Sequence, residues 1–116
     1  MNDCFLAYGQ LLCKLDFPTL RQICEGNGVL ARIRSSSHYE REEYLLLTTP
    51  KEARISFEQI AECEFLLRGE AESKADLLQV CQLASAALSN AQLRHSLELY
   101  DLDDQLFAYL HHNWLP

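Results

Sequence analysis

No stretch of this chain stays apolar for long. Its unbroken apolar runs are only a few residues, such as Leu45-Leu46-Leu47, against the ~20 needed to cross a bilayer. A secretion signal is missing too, since Asn2-Asp3 opens the chain with no basic segment leading into an apolar one. Close cysteine pairs are lacking as well: Cys4, Cys13, Cys24, Cys63 and Cys81 stand at least nine positions apart. Zinc sites and redox dithiols need pairs such as C-x-x-C, so neither is expected. An odd set of widely spaced thiols without an export signal predicts reduced side chains, used as small apolar groups in a cytoplasmic protein. There is no internal repeat, low-complexity tract or long linker, and 116 residues suit one domain, residues 1–116, with one modest core.

Positive charge is scarce, with 10 Lys and Arg against 17 Asp and Glu. Residues 1–35 carry four basic and three acidic groups, residues 36–76 five and ten, and residues 77–116 one and four. A nucleic-acid binder needs a basic face to displace counterions from phosphates. Here Arg21, Arg32 and Arg34 are thinly spread, and the back two-thirds of the chain would repel phosphates. Neither nucleic acid nor membrane is expected as a partner. The charge favours solubility and a protein partner.

What is present has globular proportions, 48% hydrophobic and 23% charged. In residues 3–15, Phe5, Tyr8, Leu12 and Leu15 fall on one helical stripe, with Asn2 or Asp3 as cap and Pro18 as stop. Gly26-Asn27-Gly28 is turn chemistry. Val29, Ala31 and Ile33 then alternate with Leu30, Arg32 and Arg34, and residues 43–49 are β-rich, which predicts a hairpin across roughly residues 29–49. Ser56-Phe57-Glu58-Gln59 matches a capping box and predicts a helix ending near Gly69. Ser73 and Asp76 open another helix, whose buried face is Leu77, Val80, Cys81, Ala84 and Leu88. Residues 91–100 fit a strand or a helix. Leu102, Leu106, Leu110 and Trp114 suggest a closing helix, with acids at its start and His111 and His112 near its end. The fold class predicted is α+β: an N-terminal helix, an antiparallel hairpin or small sheet, then two or three amphipathic helices.

Signals for catalysis are weak. His95 and Ser96 are neighbours, but adjacency in sequence does not bring a nucleophile to its base. His111 and His112 would diverge on a helix and could not share an ion. The acids Glu62, Glu64, Asp103 and Asp104 read as solvated, and Gly26-Asn27-Gly28 lacks the third glycine of a dinucleotide loop. No enzyme, cofactor or metal is expected. The aromatic supply of the C-terminal segment stands out instead. Leu106, Phe107, Tyr109, Leu110 and Trp114 are the candidate partner or dimer interface, because Tyr and Trp are enriched in interface hot spots.

The run Leu11-Leu12-Cys13-Lys14-Leu15-Asp16-Phe17-Pro18 followed by two candidate strands resembles the start of the class I type III secretion chaperones. Leu97-Glu98-Leu99-Tyr100-Asp101-Leu102-Asp103 leading into an apolar helix is similar to their last strand and closing helix. The resemblance spans roughly residues 4–49 and 93–114. It implies a homodimeric, cytoplasmic α/β chaperone that holds a secreted effector, or another secretion component, extended against its surface. The residues alone lead to a small acidic protein-binding module, a homodimer with the C-terminal helix and the hairpin as its contact surfaces, and a secreted or regulatory protein as partner. A dedicated inhibitor, such as a toxin-immunity protein or an anti-activator binding one to one, is the alternative.

Overall fold

The computed structural model describes residues 4–36 and 43–114. All its strands belong to one antiparallel sheet, β1 (Phe5–Leu12), β2 (Leu30–Ser35), β3 (Glu43–Thr48), β4 (Arg54–Ala61), β5 (Glu64–Ala71), β6 (Arg94–Tyr100) and β7 (Leu106–His112). Their spatial order is β2-β3-β4-β5-β1-β6-β7, so the first strand lies inside the sheet and β2 and β7 are its edges. Two helices accompany it, α1 (Phe17–Cys24) and α2 (Lys74–Asn90).

The predicted order of helix, hairpin and two or three further helices does not hold. Residues 5–12 form β1, buried in the sheet between β5 and β6, and not a helix. A central strand carries apolar residues on both faces, here Ala7 and Leu11 on one and Leu6, Tyr8 and Leu12 on the other. That erases the alternation of a half-buried strand and mimics a helical stripe. The caps expected at Asn2 or Asp3 lie outside the described residues. Pro18 opens α1 rather than stopping a helix. Asp16 caps it, its Oδ1 accepting from Thr19 N–H at 2.9 Å, and these hydrogen bonds hold the Asp16 carboxyl below its usual range.

Residues 56–69 are likewise strands. β4 and β5 pair from Arg54↔Glu70 to Gln59↔Phe65, with an irregularity between Gln59 and Ala61. Ser56 and Gln59 cap nothing: Gln59 Nε2 donates to Glu62 O at 3.2 Å, within the turn joining the two strands. The closing helix is replaced by β7, and residues 94–100 resolve as the strand β6 beside it. Leu106, Leu110 and Trp114 are four apart, and a spacing of four satisfies the helical period and the strand period alike.

Other expectations hold. β2 and β3 pair antiparallel from Leu30↔Thr48 to Ser35↔Glu43. Gly26, Asn27 and Gly28 all have positive φ, at 121°, 54° and 89°, in the turn before β2. In α2, Ser73 Oγ accepts from Asp76 N–H at 3.1 Å, and Leu77, Val80, Cys81, Ala84 and Leu88 are all buried.

Both helices lie on one face of the sheet. α2 packs over β6, β7, β5, β1 and β4, and α1 over β2, β3 and α2. The core between them is formed by every second strand residue, including Leu11, Leu45, Leu47, Ile55, Phe57, Phe65, Leu67, Leu97 and Leu99. Phe17 of α1 meets Phe65 edge to face at 5.6 Å. All five cysteines are free, and burial pushes the thiols of Cys24 and Cys81 up to about 12. No helix among the described residues is long and apolar enough to cross a membrane.

Candidate functional site

Alternation sends the remaining strand residues to the opposite face, which no helix covers among the described residues. The registers arrange them in rows running across the strands. One row is Leu30, Thr48, Arg54, Glu70, Leu6, Tyr100 and Leu106. The next is Arg32, Leu46, Ser56, Arg68, Tyr8, Glu98 and Tyr109. The third is Arg34, Tyr44, Glu58, Leu66, Gln10, Ser96 and His111. Tyr8 is 43% exposed, Leu30 43% and Leu66 39%.

The face divides in two. The half built on β2 to β5 holds Arg32, Arg34, Arg54 and Arg68 against Glu58 and Glu70. Arg54 is ion-paired with Glu70. Among the described residues Arg32, Arg34 and Arg68 form no ion pair. The small side chain of Ser56 leaves a hollow of about 370 Å³ lined by Tyr44, Leu46, Arg54, Arg68 and Glu70.

The half built on β1, β6 and β7 is aromatic. Tyr8 and Tyr100 have ring centroids 6.2 Å apart, and Tyr109 stacks on His111 at 4.7 Å. Beyond β7, Asn113 takes φ 54° and Trp114 lines a hollow of about 340 Å³ with Tyr8, Leu66, Glu98 and Tyr109. The Arg94 guanidinium lies over the Trp114 ring at 5.0 Å. Burial first, and the Glu98 carboxylate second, raise the Tyr100 phenol above its usual range.

No family model matches the chain, and no curated protein matches it. What the face can do therefore follows from its own residues. It offers apolar and aromatic contact area interrupted by fixed charges of both signs, and its hollows are shallow and open rather than enclosed. That composition suits a macromolecular surface more than a small molecule, whose sites are concave and enveloping.

The residues singled out from the sequence do not share one surface. Tyr109 and Trp114 meet on the open face, and Leu106 stands at its margin, 53% exposed. Phe107 and Leu110 turn inward and pack against the core. Sequence reasoning missed Tyr8, Tyr44, Leu46, Leu66 and Arg68. The alternation in β5 (Phe65, Leu67, Gly69 and Ala71 buried; Glu64, Leu66 and Arg68 exposed) was the signal that could have found the last two.

The histidine and serine noted in the sequence part company as well. His95 points into the core, fully buried, while Ser96 lies on the open face and is 7% exposed. The partner of His95 is instead Ser85 of α2. His95 Nδ1 lies 2.8 Å from Leu93 O, which can only accept, so Nδ1 carries the proton. Nε2 then accepts from Ser85 Oγ at 2.8 Å. The pair pins α2 to β6 and lines none of the hollows above. His112 points to the same side, its ring 6.3 Å from that of His95, while His111 faces the open side.

Burial pushes the His95 imidazole below its usual value, against the pull of the Leu93 carbonyl, and any charge on His112 or His111 would push it further. Below about pH 6.5 the unfolded chain takes up a proton at this ring and the folded chain does not. Stability is therefore expected to fall as pH drops from about 6.5 toward the lower folded value, and to be fully restored above 6.5. Urea midpoints measured at steps between pH 7.5 and 5.5 check this. The double variant Ser85→Ala/His95→Leu should flatten the slope, and an unchanged slope would refute the assignment.

Proposed function

We propose that this chain is a non-enzymatic protein-binding module whose docking surface is the uncovered face of its sheet. One observation carries the reading: among the described residues a seven-stranded sheet is clad by helices on one side, and its other side presents Tyr8, Leu30 and Leu66 among the arginines Arg32, Arg34, Arg54 and Arg68. Apolar area of this kind is costly to leave in water, and persistent exposed patches mark interaction sites. The mixture of charges favours a protein over a nucleic acid. Glu58 and Glu70 lie among the arginines and Glu98 lies across Tyr8 from Arg68, and these carboxylates would repel a continuous phosphate backbone. On this reading the module is chaperone-like, holding a secreted or regulatory protein against the sheet, in a reducing cytoplasm that suits its free thiols. A one-to-one inhibitor would use the same face.

Photo-crosslinking separates these readings. A photoreactive phenylalanine analogue replaces Tyr8 on the open face, or Gln82 on the exposed side of α2. Protein is expected to be captured from position 8 and not from position 82. With the captured protein purified, Leu66→Arg should weaken its binding by roughly tenfold or more, as for loss of a central interface contact. Capture from both positions, or of RNA at position 8, would overturn the proposal. Whether the captured protein is unfolded or folded distinguishes holder from inhibitor.

A further inference from the structure

We propose that β7 pairs antiparallel with the β7 of a second copy, joining two sheets edge to edge. The two edges of the sheet are unlike. β2 carries Arg32 and Arg34, both exposed, and charge on an edge strand is a common guard against further pairing. β7 has no guard. Leu106–His112 contains no Lys, Arg, Asp, Glu or Pro, and its first five residues are all apolar. The only irregularity lies at its start, where the register shifts between Leu99 and Tyr100. From Ala108 to His112 the strand pairs regularly with β6. A regular edge this long and uncharged is a template for another strand, and natural proteins cover such edges.

Among the described residues, nothing closes that edge sideways. α2 covers the inner face of β7, with the Lys74 ammonium 4.6 Å from the centre of the Phe107 ring. Past the strand, Trp114 turns onto the open face beside Tyr8 rather than across the edge. Among the described residues, β7 is hydrogen-bonded to β6 alone.

A second copy fits by symmetry. A two-fold axis normal to the sheet, lying between the two strands and level with Tyr109, the middle residue of β7, sets Tyr109 against its own counterpart and Ala108 against Leu110. The alternation of faces is preserved and no like charges meet. The same operation at β2 would oppose arginines, and β7 against β2 would be head to tail, an arrangement that need not close. The axis also leaves both bare faces on one side. The two aromatic halves then adjoin at the seam and the arginine-bearing halves lie outermost, doubling the width of a single open surface. The pairing stands independently of what that surface binds.

The experiment is light scattering coupled to gel filtration on the full chain at tens of micromolar. The parent is expected to be a dimer. Tyr109→Lys and Tyr109→Glu each place like charges opposite one another across the axis, and each should raise the dimer dissociation constant by roughly tenfold or more. Mixed one to one, the two variants should dimerise again, which no purely structural role of Tyr109 would produce. A monomeric parent, dimers that persist in both charged variants, or a mixture that stays monomeric would each overturn the proposal. If the variants fail to fold, amide exchange in the parent decides. Amides of β7 that exchange more slowly as protein concentration rises support the pairing, and concentration-independent exchange rejects it.

Discussion

Gly9→Ala is expected to destabilise the protein by about 3 kcal/mol or more, the upper part of the range for forcing extra volume into a packed interior. In an ordinary strand the change would help, because glycine weakens strands relative to alanine by roughly 0.5–1 kcal/mol. Position 9 is different. β1 lies between β5 and β6, with Gly9 opposite Leu67 on one side and Leu97 on the other. A Cβ built there would stand 2.0 Å from the carbonyl oxygen of Ser96 and 3.0 Å from its carbonyl carbon. These are backbone atoms of a paired strand, so relief requires β6 to move and its ladder with β1 to open. Gly69→Ala should cost less, since its nearest neighbour would be the Ala7 Cβ at 3.2 Å. Gly28→Ala meets no atom within 4 Å and strains only its positive φ of 89°, a cost of about 1–2 kcal/mol. Urea denaturation of the three variants should therefore rank position 9 as worst. A Gly9→Ala protein as stable as the parent would mean that β1 does not occupy the interior of the sheet.

That position also shows where the sequence was legible. α2 could be read because its cap, its acidic first turn and its buried stripe agree, and it is long enough for the helical period to be unambiguous. The β2–β3 hairpin could be read because a glycine turn precedes a clean alternation. β1 and β7 could not. One is apolar on both faces, and the other spaces its leucines by four, which both periods accept. In β4, a chance capping box outweighed the alternation of Ile55 and Phe57 with Ser56 and Glu58. Each misreading came from a local rule meeting a residue placed by tertiary pairing.

The open face was illegible for a deeper reason. Tyr8 stands between Arg68 and Glu98 only because β1 joins β5 to β6, strands separated from it by more than fifty residues of sequence. Nothing near Tyr8 in the chain announces those neighbours. The charge count misled in the same way. A net −7 chain gathers four of its ten basic residues on the three rows of one face, where only three glutamates accompany them. The average charge said little about the surface that a partner would meet.

Val80→Asp is expected to leave the protein largely unfolded at room temperature. Val80 is fully buried in α2, on the stripe that packs over the central strands. The substitution removes an apolar side chain from the core and buries a carboxylate for which the surrounding leucines, alanines and Cys81 offer no counterion. An unpaired charge in such a site is avoided by protonation or by unfolding, and either route costs several kcal/mol. Against a total stability of roughly 5–15 kcal/mol, that removes most of what holds a domain of this size together. The sign of the pH dependence follows. A buried aspartate has its folded pKa raised, so whatever stability the variant retains should rise as pH falls toward 5, opposite to the trend that His95 gives the parent. Gln79→Asp is the control. One position earlier the side chain is exposed, and the same substitution there should change stability by no more than about 0.5 kcal/mol. Circular dichroism melts of the two variants at pH 7.5 make the comparison. Equal melting temperatures would mean that α2 presents a different face to the sheet, and with it the Ser85–His95 contact and the side left open for a partner would have to be reassigned.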